Sequence, residues 1–477
     1  MENGHPTSAR TLVAKTIPSP LGISCQGFVD AAGRGLVYVA PDGVRTGGEA
    51  GAMETYRAFY REGPAALGRI EVREGFLAPW LAADQLHSSL GVPEVVRVLR
   101  EPSPEGVVIK FLSRIPAVAR GMDGDGREVT TAPSAAGISQ QLAHLEIESV
   151  LIPMIGSNGV AKYTLCVSSQ VGCAMGCTFC ETAQMGLIRS LLPSEIVGQW
   201  YVAKHLVSRD EETHRRTDEV KGEETTSPTS SLRLSVSSSL PITNIVFMGM
   251  GEPMDNLPNV IAAVGVLKDT NACGMAVSRI TISTVGRVDG IRTLAEKIRE
   301  PGWHRLGIAL SLNAPNDAAR SKIMPVNRKY NLEAVRSALL DWPEYAGNKI
   351  CVEYVLIPGE NDTRQHAREI AEFIAPFGLH KTATSEPSNG SVRAVLNLIP
   401  YNPRRESPWP APTEEQIEQF MGWLEEEGVF VKRRRTKGRR MMGACGQLGT
   451  EQIRRRQLVT PTVSVSREAG AATLPRG

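Results

Sequence analysis

The chain has 477 residues, 42% of them hydrophobic, and its formal net charge at pH 7 is only +2. This length exceeds one ordinary hydrophobic core, so we expect one large domain with an accessory region. No run approaches the eighteen apolar residues of a membrane-spanning helix, and Met1–Arg10 has no apolar signal core. Eight cysteines, clustered rather than evenly spaced, indicate a reducing compartment and cofactor chemistry. We therefore expect a cytoplasmic protein without a membrane anchor.

The first part of the chain, residues 1–105, contains no functional motif and is expected to form an N-terminal accessory region. Gly35–Val39 lies between turn-forming residues and predicts a strand. Ala82–Leu90 predicts a short helix. These elements leave the role of the region open.

Residues 106–162 predict strands that lead into the main domain. The two strand patterns are Gly106–Leu112 and Leu145–Pro153. The segment between them, 117–139, is rich in Gly, Ala and Ser and predicts a flexible loop.

From residue 163 onward, strand patterns and helix patterns alternate. The strand candidates are Thr164–Ser168, Asn244–Met248, Arg279–Thr284, Leu306–Leu312, Ile350–Ile357 and Ala394–Ile399. The helix candidates are Ser194–Val207, Pro258–Lys268, Asp289–Ile298, Leu332–Leu340, Thr363–Ala375 and Thr413–Glu427. Ser194 is a candidate N-cap, and Thr413 with Gln416 predicts a capping box. Six βα units with parallel strands predict an open barrel whose chemistry lies at the C-terminal ends of the strands.

This domain would span residues 163–448. It is interrupted at 208–239 by a charged and then Ser/Thr-rich insertion, which predicts disorder, and at His380–Ser391 by a shorter polar segment. The tail, 449–477, is basic at first and is then expected to be disordered.

Three cysteines form the strongest motif of the chain. Cys173, Cys177 and Cys180 have the spacing C-x3-C-x2-C on a loop that follows the first strand of the series. Three thiolates can hold three irons of a 4Fe–4S cluster and leave the fourth iron open to a small chelating ligand. A structural zinc site is the alternative, but it needs a fourth protein ligand, and no second C-x2-C pair or H-x3-H motif lies nearby. The spacing therefore favours the cluster.

The longer string Cys166-Val-Ser-Ser-Gln-Val-Gly-Cys173 resembles the RlmN/Cfr family of radical S-adenosylmethionine (SAM) RNA adenine methyltransferases. The resemblance extends from about Glu148 to Leu448. It implies an α/β fold, a partial (β/α)6 radical SAM barrel with an N-terminal accessory region. It also implies a 4Fe–4S cluster on the three cysteines, with SAM bound at the open iron.

A second motif, Gly249-Met250-Gly251-Glu252-Pro253, ends the second predicted strand. Glycines let a backbone approach a ligand closely, and a carboxylate can receive an ammonium group. An ordinary turn would also explain Gly-x-Gly, but the resemblance implies that Gly251 and Glu252 bind the amino group of SAM. The other SAM-binding residues that it implies are Ser283, Ser311, Leu312, Asn313 and Asn402. Asn313 departs from the histidine that is frequent at this position in bacterial relatives.

A third motif places Cys445 between two glycines, after an arginine-rich stretch. A free thiol is more often a small buried hydrophobe, but nearby positive charge raises thiol reactivity. The resemblance implies that Cys445 carries a methyl group, that Cys166 is a second catalytic thiol and that Glu148 is a proton acceptor. The cysteines that match no motif are expected to pack in the core: Cys25, Cys273 and Cys351.

The implied reaction is methylation of C2 of an adenosine in large-subunit ribosomal RNA, with some tRNAs as further candidate substrates. An adenine ring carbon is too electron-poor to attack SAM, so a radical cofactor must carry the chemistry. Cys445 would take a methyl group from one SAM by displacement, and a second SAM would activate it. Cys166 would then release the product through a transient disulfide with Cys445. The implied partners are the RNA and an electron donor such as flavodoxin or ferredoxin.

Three alternatives remain open from the sequence. The first is methylation of C8 of the same adenosine, as in Cfr. The second is a non-catalytic, zinc-stapled RNA-binding protein. The third is a radical SAM enzyme that acts on a protein or a small molecule, which would have no evident use for both Cys166 and Cys445.

Positive charge is concentrated near the third motif. Lys432–Arg440 and Arg454–Arg456 hold ten cationic side chains within twenty-five residues. A basic run is usually a solvated face. Because this one flanks Cys445, contact with RNA phosphates is at least as well supported.

Overall fold

The computed structural model describes residues 14–81, 90–122, 127–132, 142–155, 159, 161–207, 240–345, 349–378 and 394–449. Several predicted segments therefore lie outside the described residues: the helix at Ala82–Leu90 apart from Leu90, the insertion 208–239, His380–Ser391, and the tail 450–477 with Arg454–Arg456.

A ten-stranded sheet is the centre of the fold, and its strands are numbered in chain order. They are Glu94–Ser103 (β1), Gly106–Pro116 (β2), His144–Ile155 (β3), Ala161–Cys166 (β4), Ile242–Phe247 (β5), Ile280–Thr284 (β6), Gly307–Ser311 (β7), Ile350–Leu356 (β8), Ala394–Pro400 (β9) and Val431–Arg433 (β10). Their order across the sheet follows their order along the chain. Strands β1 to β4 pair antiparallel, and strands β4 to β10 pair parallel.

The parallel half confirms the predicted fold class. All six predicted strands are present, and helices or turns connect them as in an open (β/α) barrel. The sheet does not close, since β1 and β10 are its two edges. The short seventh parallel strand, β10, was not predicted, because Val431–Arg433 begins the basic run and lacks an apolar pattern.

Parallel strands covered on both faces are built from apolar runs, so a charged residue within one marks a site. Strand β8 has the sequence Ile-Cys-Val-Glu-Tyr-Val-Leu. Its one charged residue, Glu353, is buried at 5% relative exposure. Glu353 lines two cavities of the barrel.

Ten α-helices lie in the described part of the chain. They are Cys25–Ala32 (α1), Gly48–Glu62 (α2), Glu181–Met185 (α3), Pro193–Val202 (α4), Leu257–Lys268 (α5), Val288–Lys297 (α6), Asp317–Ile323 (α7), Leu332–Leu340 (α8), Arg364–Ile374 (α9) and Glu414–Glu426 (α10). None of these helices has the length and apolar character needed to cross a membrane.

The capping predictions had different outcomes. Thr413 and Gln416 form the predicted capping box before α10, because each side chain accepts a hydrogen bond from the other's backbone N–H. Ser194 is not an N-cap. Helix α4 begins at Pro193 after Leu192, a favourable place for proline, and Glu195 accepts from the Leu192 N–H at 2.9 Å. One π-helical turn, Ala203–Val207, then continues α4.

The N-terminal region packs against the barrel. Its two helices, α1 and α2, were not predicted, although Tyr56, Phe59 and Tyr60 of α2 have helical spacing and are buried. The Phe59 ring stacks on the ring of Tyr201 in helix α4, with ring centroids 4.7 Å apart. The small strands of this region are Lys15–Thr16, Leu36–Val39, Arg45–Gly47, Ile70–Val72 and Phe76–Leu77, and Leu36–Val39 confirms a predicted strand.

The segment 117–139, predicted as a flexible loop, contains an antiparallel hairpin in its described part. The hairpin pairs Ala119–Met122 with Glu128–Thr131. Its base is held by Arg189, which donates hydrogen bonds to the carbonyls of Pro116 and Ala117 and is ion-paired with Glu195. Because these anchors are remote in sequence, the composition of the segment gave no indication of them.

Candidate active site

The loop that carries the three cysteines is held by backbone contacts on both sides. It begins after the short strand Gln170–Val171, which pairs with Arg189–Ser190. At Gly172, φ is 76°, and a Cβ atom would lie 1.8 Å from the carbonyl oxygen of Gly186. Only glycine fits this position. The Cys173 N–H donates to that same carbonyl at 3.0 Å, and the Thr178 N–H donates to the Ile323 carbonyl at 3.0 Å.

The three thiols line one cavity at the C-terminal ends of the parallel strands, called here the first cavity. Its other polar lining residues include Glu252, Ser283, Ser311, Asn313, Glu353 and Cys445. Burial, and then the neighbouring thiols, raise the pKa values of Cys173 and Cys177, and burial raises the pKa of Cys180. The thiols are therefore protonated without metal, and metal binding must release their protons.

The donor set fits a 4Fe–4S cluster, because three soft thiols from one loop share a cavity with a buried carboxylate and two hydroxyls. Among the described residues, however, no three or more His, Cys, Asp or Glu side chains are already gathered as a metal site. The three thiols nevertheless line one cavity, and metal ligands commonly assemble only when the metal binds.

Glu252 stands at the end of β5 with its carboxylate fixed in the first cavity. It accepts hydrogen bonds from the N–H groups of Met254, at 3.2 Å, and Val285, at 3.0 Å. Burial raises its pKa in spite of these bonds. A buried carboxylate of this kind is stabilised by a cationic partner, so an ammonium group is a suitable ligand.

The glycines of the second motif serve packing within the chain. A Cβ at Gly249 would lie 2.7 Å from the Val167 backbone, and one at Gly251 would lie 2.5 Å from the Gln170 side chain. These glycines therefore bring the end of β5 against the segment that precedes the cysteine loop. The sequence predicted that these glycines let a ligand approach closely. The structure gives a different reason for them, which is close packing against Val167 and Gln170.

The remaining residues expected to bind SAM are placed at different points. The Ser283 and Ser311 hydroxyls lie 3.4 Å apart at the ends of β6 and β7. Asn313 has a φ of 55°, a conformation that asparagine tolerates, and its side-chain oxygen accepts from the Val355 N–H at 3.0 Å. Leu312 is buried beside the first cavity without lining it, whereas Asn402 lines a second cavity.

The second cavity has a volume of about 530 Å³ and extends deeper into the barrel. Cys166, Cys351, Glu353 and Asn402 line it, together with the basic side chains of Lys432, Arg433, Arg434, Arg435 and Lys437. Five residues line both cavities: Met248, Glu353, Ile399, Cys445 and Leu448. Cys445 therefore lies in the wall between the three-cysteine loop and the basic cavity that contains Cys166.

The Cys445 loop is tied to the helix that follows the third cysteine. The Glu181 N–H donates to the Gly446 carbonyl at 2.7 Å, and the Thr182 hydroxyl donates to the Leu448 carbonyl. Arg405 is ion-paired with Glu181 at 3.1 Å and also donates to the Gly449 carbonyl. These contacts hold the Cys445 loop against the helix that begins directly after Cys180, although the two segments are remote in sequence.

Comparison with known proteins agrees with this geometry. A model of the radical SAM superfamily matches residues 235–374, which follow the cysteine loop. The chain is 36% identical over 332 residues to the probable dual-specificity RNA methyltransferase RlmN 1 of Protochlamydia amoebophila, covering 69% of this chain and 77% of that protein. It is 37% identical over 330 residues to the dual-specificity RNA methyltransferase RlmN of Lawsonia intracellularis, covering 68% and 79%. The chain belongs to the RlmN/Cfr family of radical SAM RNA methyltransferases.

A solved structure supports the same assignment. The crystal structure of a radical SAM methyltransferase from Sphaerobacter thermophilus aligns with a TM-score of 0.61 and 28% identity, over 90% of this chain and 98% of that one. As a member of the RlmN/Cfr family, the chain uses a 4Fe–4S cluster and SAM. Membership of this family argues against two of the alternatives left open by the sequence: a zinc-stapled RNA-binding protein without catalysis, and a radical SAM enzyme that acts on a protein or a small molecule.

In this RlmN/Cfr chain, Glu148 is part of a buried clamp on the Cys445 loop. Its carboxylate is 2.9 Å from the Lys110 ammonium group and accepts from the Gly449 N–H at 2.8 Å. Lys110 also donates to the Met442 carbonyl at 2.8 Å. Glu148 lines neither cavity. The structure thus gives it a structural contact, and its expected role as a proton acceptor stays a prediction.

Two residues that sequence reasoning missed, Glu353 and Arg434, form an ion pair beside the thiols at 2.7 Å. Burial and the nearby Cys445 raise the pKa of Cys166 to about 12. Burial also raises the pKa of Cys445, and Arg434 opposes that effect. A charged residue within the apolar pattern of β8 was the available signal for Glu353. All eight cysteines are free thiols in the structure.

Much of the basic run is paired within the chain. Arg433 is ion-paired with Glu414, and Arg435 and Lys437 are ion-paired with Glu105 in the turn between β1 and β2. Lys437 also donates to the Pro153 carbonyl at 2.6 Å. The run therefore crosses from the last strand of the sheet to its antiparallel end. Arg435 remains 76% exposed, so contact with phosphate is still available to it.

Proposed function

We propose that this chain methylates C2 of an adenosine in large-subunit ribosomal RNA, and in some tRNAs, through a methyl group carried on Cys445. The observation that carries the proposal is the position of Cys445 in the wall shared by the two cavities. A thiol there can receive a group from one side and deliver it to the other. The relatives named dual-specificity RNA methyltransferase RlmN support an RNA substrate. The choice of C2 over C8 is part of the proposal and rests on the resemblance of Gly251-Glu252-Pro253 to RlmN.

In this proposal the first cavity holds both cofactors. Cys173, Cys177 and Cys180 hold the cluster, and the SAM contacts come from Gly251, Glu252, Ser283, Ser311 and Asn313. Leu312 does not line this cavity, so its part in the SAM site is to hold Ser311 and Asn313 in place. When bound, the cluster and SAM supply the methyl group and the one-electron chemistry that removes a hydrogen atom from it. The buried carboxylate of Glu252 receives the amino group of SAM.

The second cavity is proposed to hold the adenine. Its volume of about 530 Å³ is in the range of small-molecule sites, and its five basic side chains suit a polyanionic substrate. Asn402 holds the Cys445 loop at this side, because its amide faces the Cys445 carbonyl at 3.5 Å and accepts from Arg439 at 3.2 Å. We therefore assign Asn402 to positioning the Cys445 loop, and its expected contact with SAM stays a prediction, because Asn402 lines the second cavity and not the first.

Cys166 is proposed to release the product. It lines the second cavity with Cys445, and its thiol interacts electrostatically with that residue. When its sulfur loses its proton and bonds to the Cys445 sulfur, the bond between Cys445 and the transferred carbon breaks. The electron pair of that bond stays on the carbon, which takes up a proton and becomes the methyl group. The resulting disulfide must be reduced before the next cycle. A protein electron donor of the flavodoxin or ferredoxin class and a cytoplasmic location complete the proposal.

The two thiols should fail differently when they are replaced. Cys445→Ala has no site for the methyl group, so no covalent RNA–protein adduct should form. Cys166→Ala can still load and transfer the methyl group but has no means of release, so adduct should accumulate. Cys351→Ala, which removes a third thiol of the second cavity, is the matched control and should turn over without accumulating adduct. Denaturing gels of each reconstituted variant, before and after ribonuclease, make the comparison.

A soluble Cys166→Ala protein that holds cluster and SAM but carries no adduct, with reductant and RNA present, would refute the role of the thiols. The position of methylation needs a separate measurement. Mass spectrometry of adenosines from ribosomal RNA treated with the enzyme should find 2-methyladenosine. Finding 8-methyladenosine instead would assign the Cfr reaction.

A further inference from the structure

An arginine stands among the thiols of the second cavity and is fixed there by two strands of the barrel. Arg434 directly follows β10, and its N–H donates to the Leu398 carbonyl of β9 at 2.8 Å. Its guanidinium group donates to the Glu353 carboxylate of β8 at 2.7 Å and approaches the Met248 sulfur at 3.6 Å. A planar guanidinium group fixed in this way has a defined direction as well as a charge.

The charges around Cys445 come from several elements of the barrel. The titratable and charged groups that share the second cavity with it are Cys166 on β4, Cys351 and Glu353 on β8, Lys432 and Arg433 on β10, Arg434, Arg435 and Lys437 after β10, and Glu105 between β1 and β2. Of these, Arg434 is the group that lowers the pKa of Cys445, against burial and Glu353, which raise it.

The influence is mutual. Burial disfavours the charge on Arg434, but Cys445, Glu353, Cys351 and Cys166 outweigh burial and raise the pKa of the guanidinium group. Arg434 therefore stays cationic at every pH of interest. The same cation lowers the pKa of Cys166, so both thiols of the cavity share one counter-charge.

We infer that Arg434 is a positioning residue that stabilises the Cys445 thiolate for its attack on the methyl donor, and that Glu353 fixes the guanidinium group beside the thiols. This inference rests on the proposed function, which makes Cys445 the methyl acceptor. In the step concerned, the S–H bond breaks and its proton goes to solvent. The sulfur keeps the electron pair with which it then bonds to the methyl carbon, while the bond between that carbon and the sulfonium sulfur of SAM breaks. Its electron pair leaves with the neutral thioether product, so no oxidant or reductant is needed.

The test measures thiol ionisation directly. Full-length, cluster-loaded protein is treated anaerobically with iodoacetamide between pH 7 and pH 11.5, and alkylation of the Cys445 peptide is followed by mass spectrometry. Arg434→Gln should raise the midpoint of the pH–rate curve by about one unit, so that about tenfold less thiolate is present below the midpoint. The more basic thiolate is intrinsically about threefold more reactive, so the plateau at high pH should rise about threefold.

These two opposite changes distinguish charge from damage. At low pH the net rate should fall about threefold, while the plateau rises, whereas a distorted loop would move both rates in the same direction. Arg434→Lys keeps the charge and should restore most of the midpoint. Arg433→Gln is the matched control, because Arg433 is adjacent but is ion-paired with Glu414 outside the thiol cluster, and its midpoint should equal that of the wild type.

An unchanged midpoint in Arg434→Gln, or an equal shift in Arg433→Gln, would overturn the inference. If Arg434→Gln does not fold, Arg434→Met, which keeps an unbranched side chain without the charge, gives the decision with the same sign, because loss of the guanidinium charge should again raise the midpoint. An unchanged midpoint there would also overturn it. If wild-type Cys445 acquires no methyl group from SAM although Arg434→Gln shifts the midpoint, the proposed function fails and the electrostatic role of Arg434 stands.

Discussion

Replacing one partner of the buried Lys110–Glu148 ion pair should lower the stability of the fold more than replacing both partners. The two side chains are only 3% and 4% exposed, and their charged atoms are 2.9 Å apart. Lys110→Met leaves a buried carboxylate without its cation, and Glu148→Leu leaves a buried ammonium group without its anion. Each single change should lower the free energy of unfolding by about 3–5 kcal/mol.

The double variant Lys110→Met/Glu148→Leu buries no unpaired charge. It loses the hydrogen bonds to the Met442 carbonyl and the Gly449 N–H, at about 1 kcal/mol each, so its cost should be about 2 kcal/mol or less. The exposed pair Arg45–Glu71 is the control, and its double replacement should cost less than about 1 kcal/mol. Urea unfolding curves measure all of these. Additive effects of the two single changes would refute the reasoning.

The same double variant tests the expected role of Glu148 in proton transfer. If the pair only clamps the Cys445 loop, the folded variant should load less methyl group onto Cys445 and should be cut faster by proteases between residues 442 and 449. If Glu148 accepts the adenine proton, loading should be normal and unreleased RNA adduct should accumulate. The two outcomes are separated by intact-protein mass spectrometry and by denaturing gels.

Three further predictions concern metal, RNA and pH. Anaerobically reconstituted protein should contain about four irons and four sulfides, and alanine at Cys173, Cys177 or Cys180 should abolish the cluster; zinc without iron would contradict the assignment. Neutralising the exposed Arg435, Arg439 and Arg440 should weaken the salt dependence of RNA binding. The slope of log K against log salt concentration should become shallower by about 0.7–0.9 per lost phosphate contact. An unchanged slope would show that these side chains do not contact RNA phosphates. Burial raises the pKa values of Cys166 and Cys351 to about 12, so the folded chain binds these protons more tightly than the unfolded chain. The two thiols therefore contribute their full stabilisation of the folded state below about pH 8.5, and this stabilisation is lost as pH rises toward 12. Cluster-free Cys351→Ala has one such thiol fewer. Its free energy of unfolding, measured in urea, should therefore fall less than that of the wild type between pH 9 and pH 11.

Local patterns predicted the parallel half of the fold well, because each strand and helix there is encoded by its own periodicity. Leu332–Leu340 was predicted with the bounds that the structure shows, and the Thr413 capping box was predicted with both of its hydrogen bonds. The start of α4 was missed by one residue, since Pro193 competes with Ser194 for the first turn. Helices α1 and α2 were missed although their apolar spacing was visible.

The site was predictable where a motif is short and contiguous, as in the C-x3-C-x2-C loop. It was not predictable where residues remote in sequence meet. The contact between Glu181 and Gly446 and the clamp of Lys110 and Glu148 on Met442 and Gly449 depend on which loops the barrel brings together. No local spacing reports such contacts.

The basic run shows how the same residues can have two roles that sequence alone cannot separate. The seven cationic residues in Lys432–Arg440 predict a solvent-exposed segment. The segment nevertheless begins as strand β10 of the sheet, and its Lys437 is ion-paired with Glu105, between β1 and β2 at the opposite edge of the sheet. Arg434 lies among the buried thiols, whereas Arg435, next in the chain, is largely exposed. Arg434 and Arg435 follow β10 and both line the second cavity, but Arg434 is ion-paired with the buried Glu353, whereas Arg435 is paired with Glu105 and its side chain is 76% exposed. The segment that steadies the reactive sulfur can therefore also meet the phosphates of the RNA.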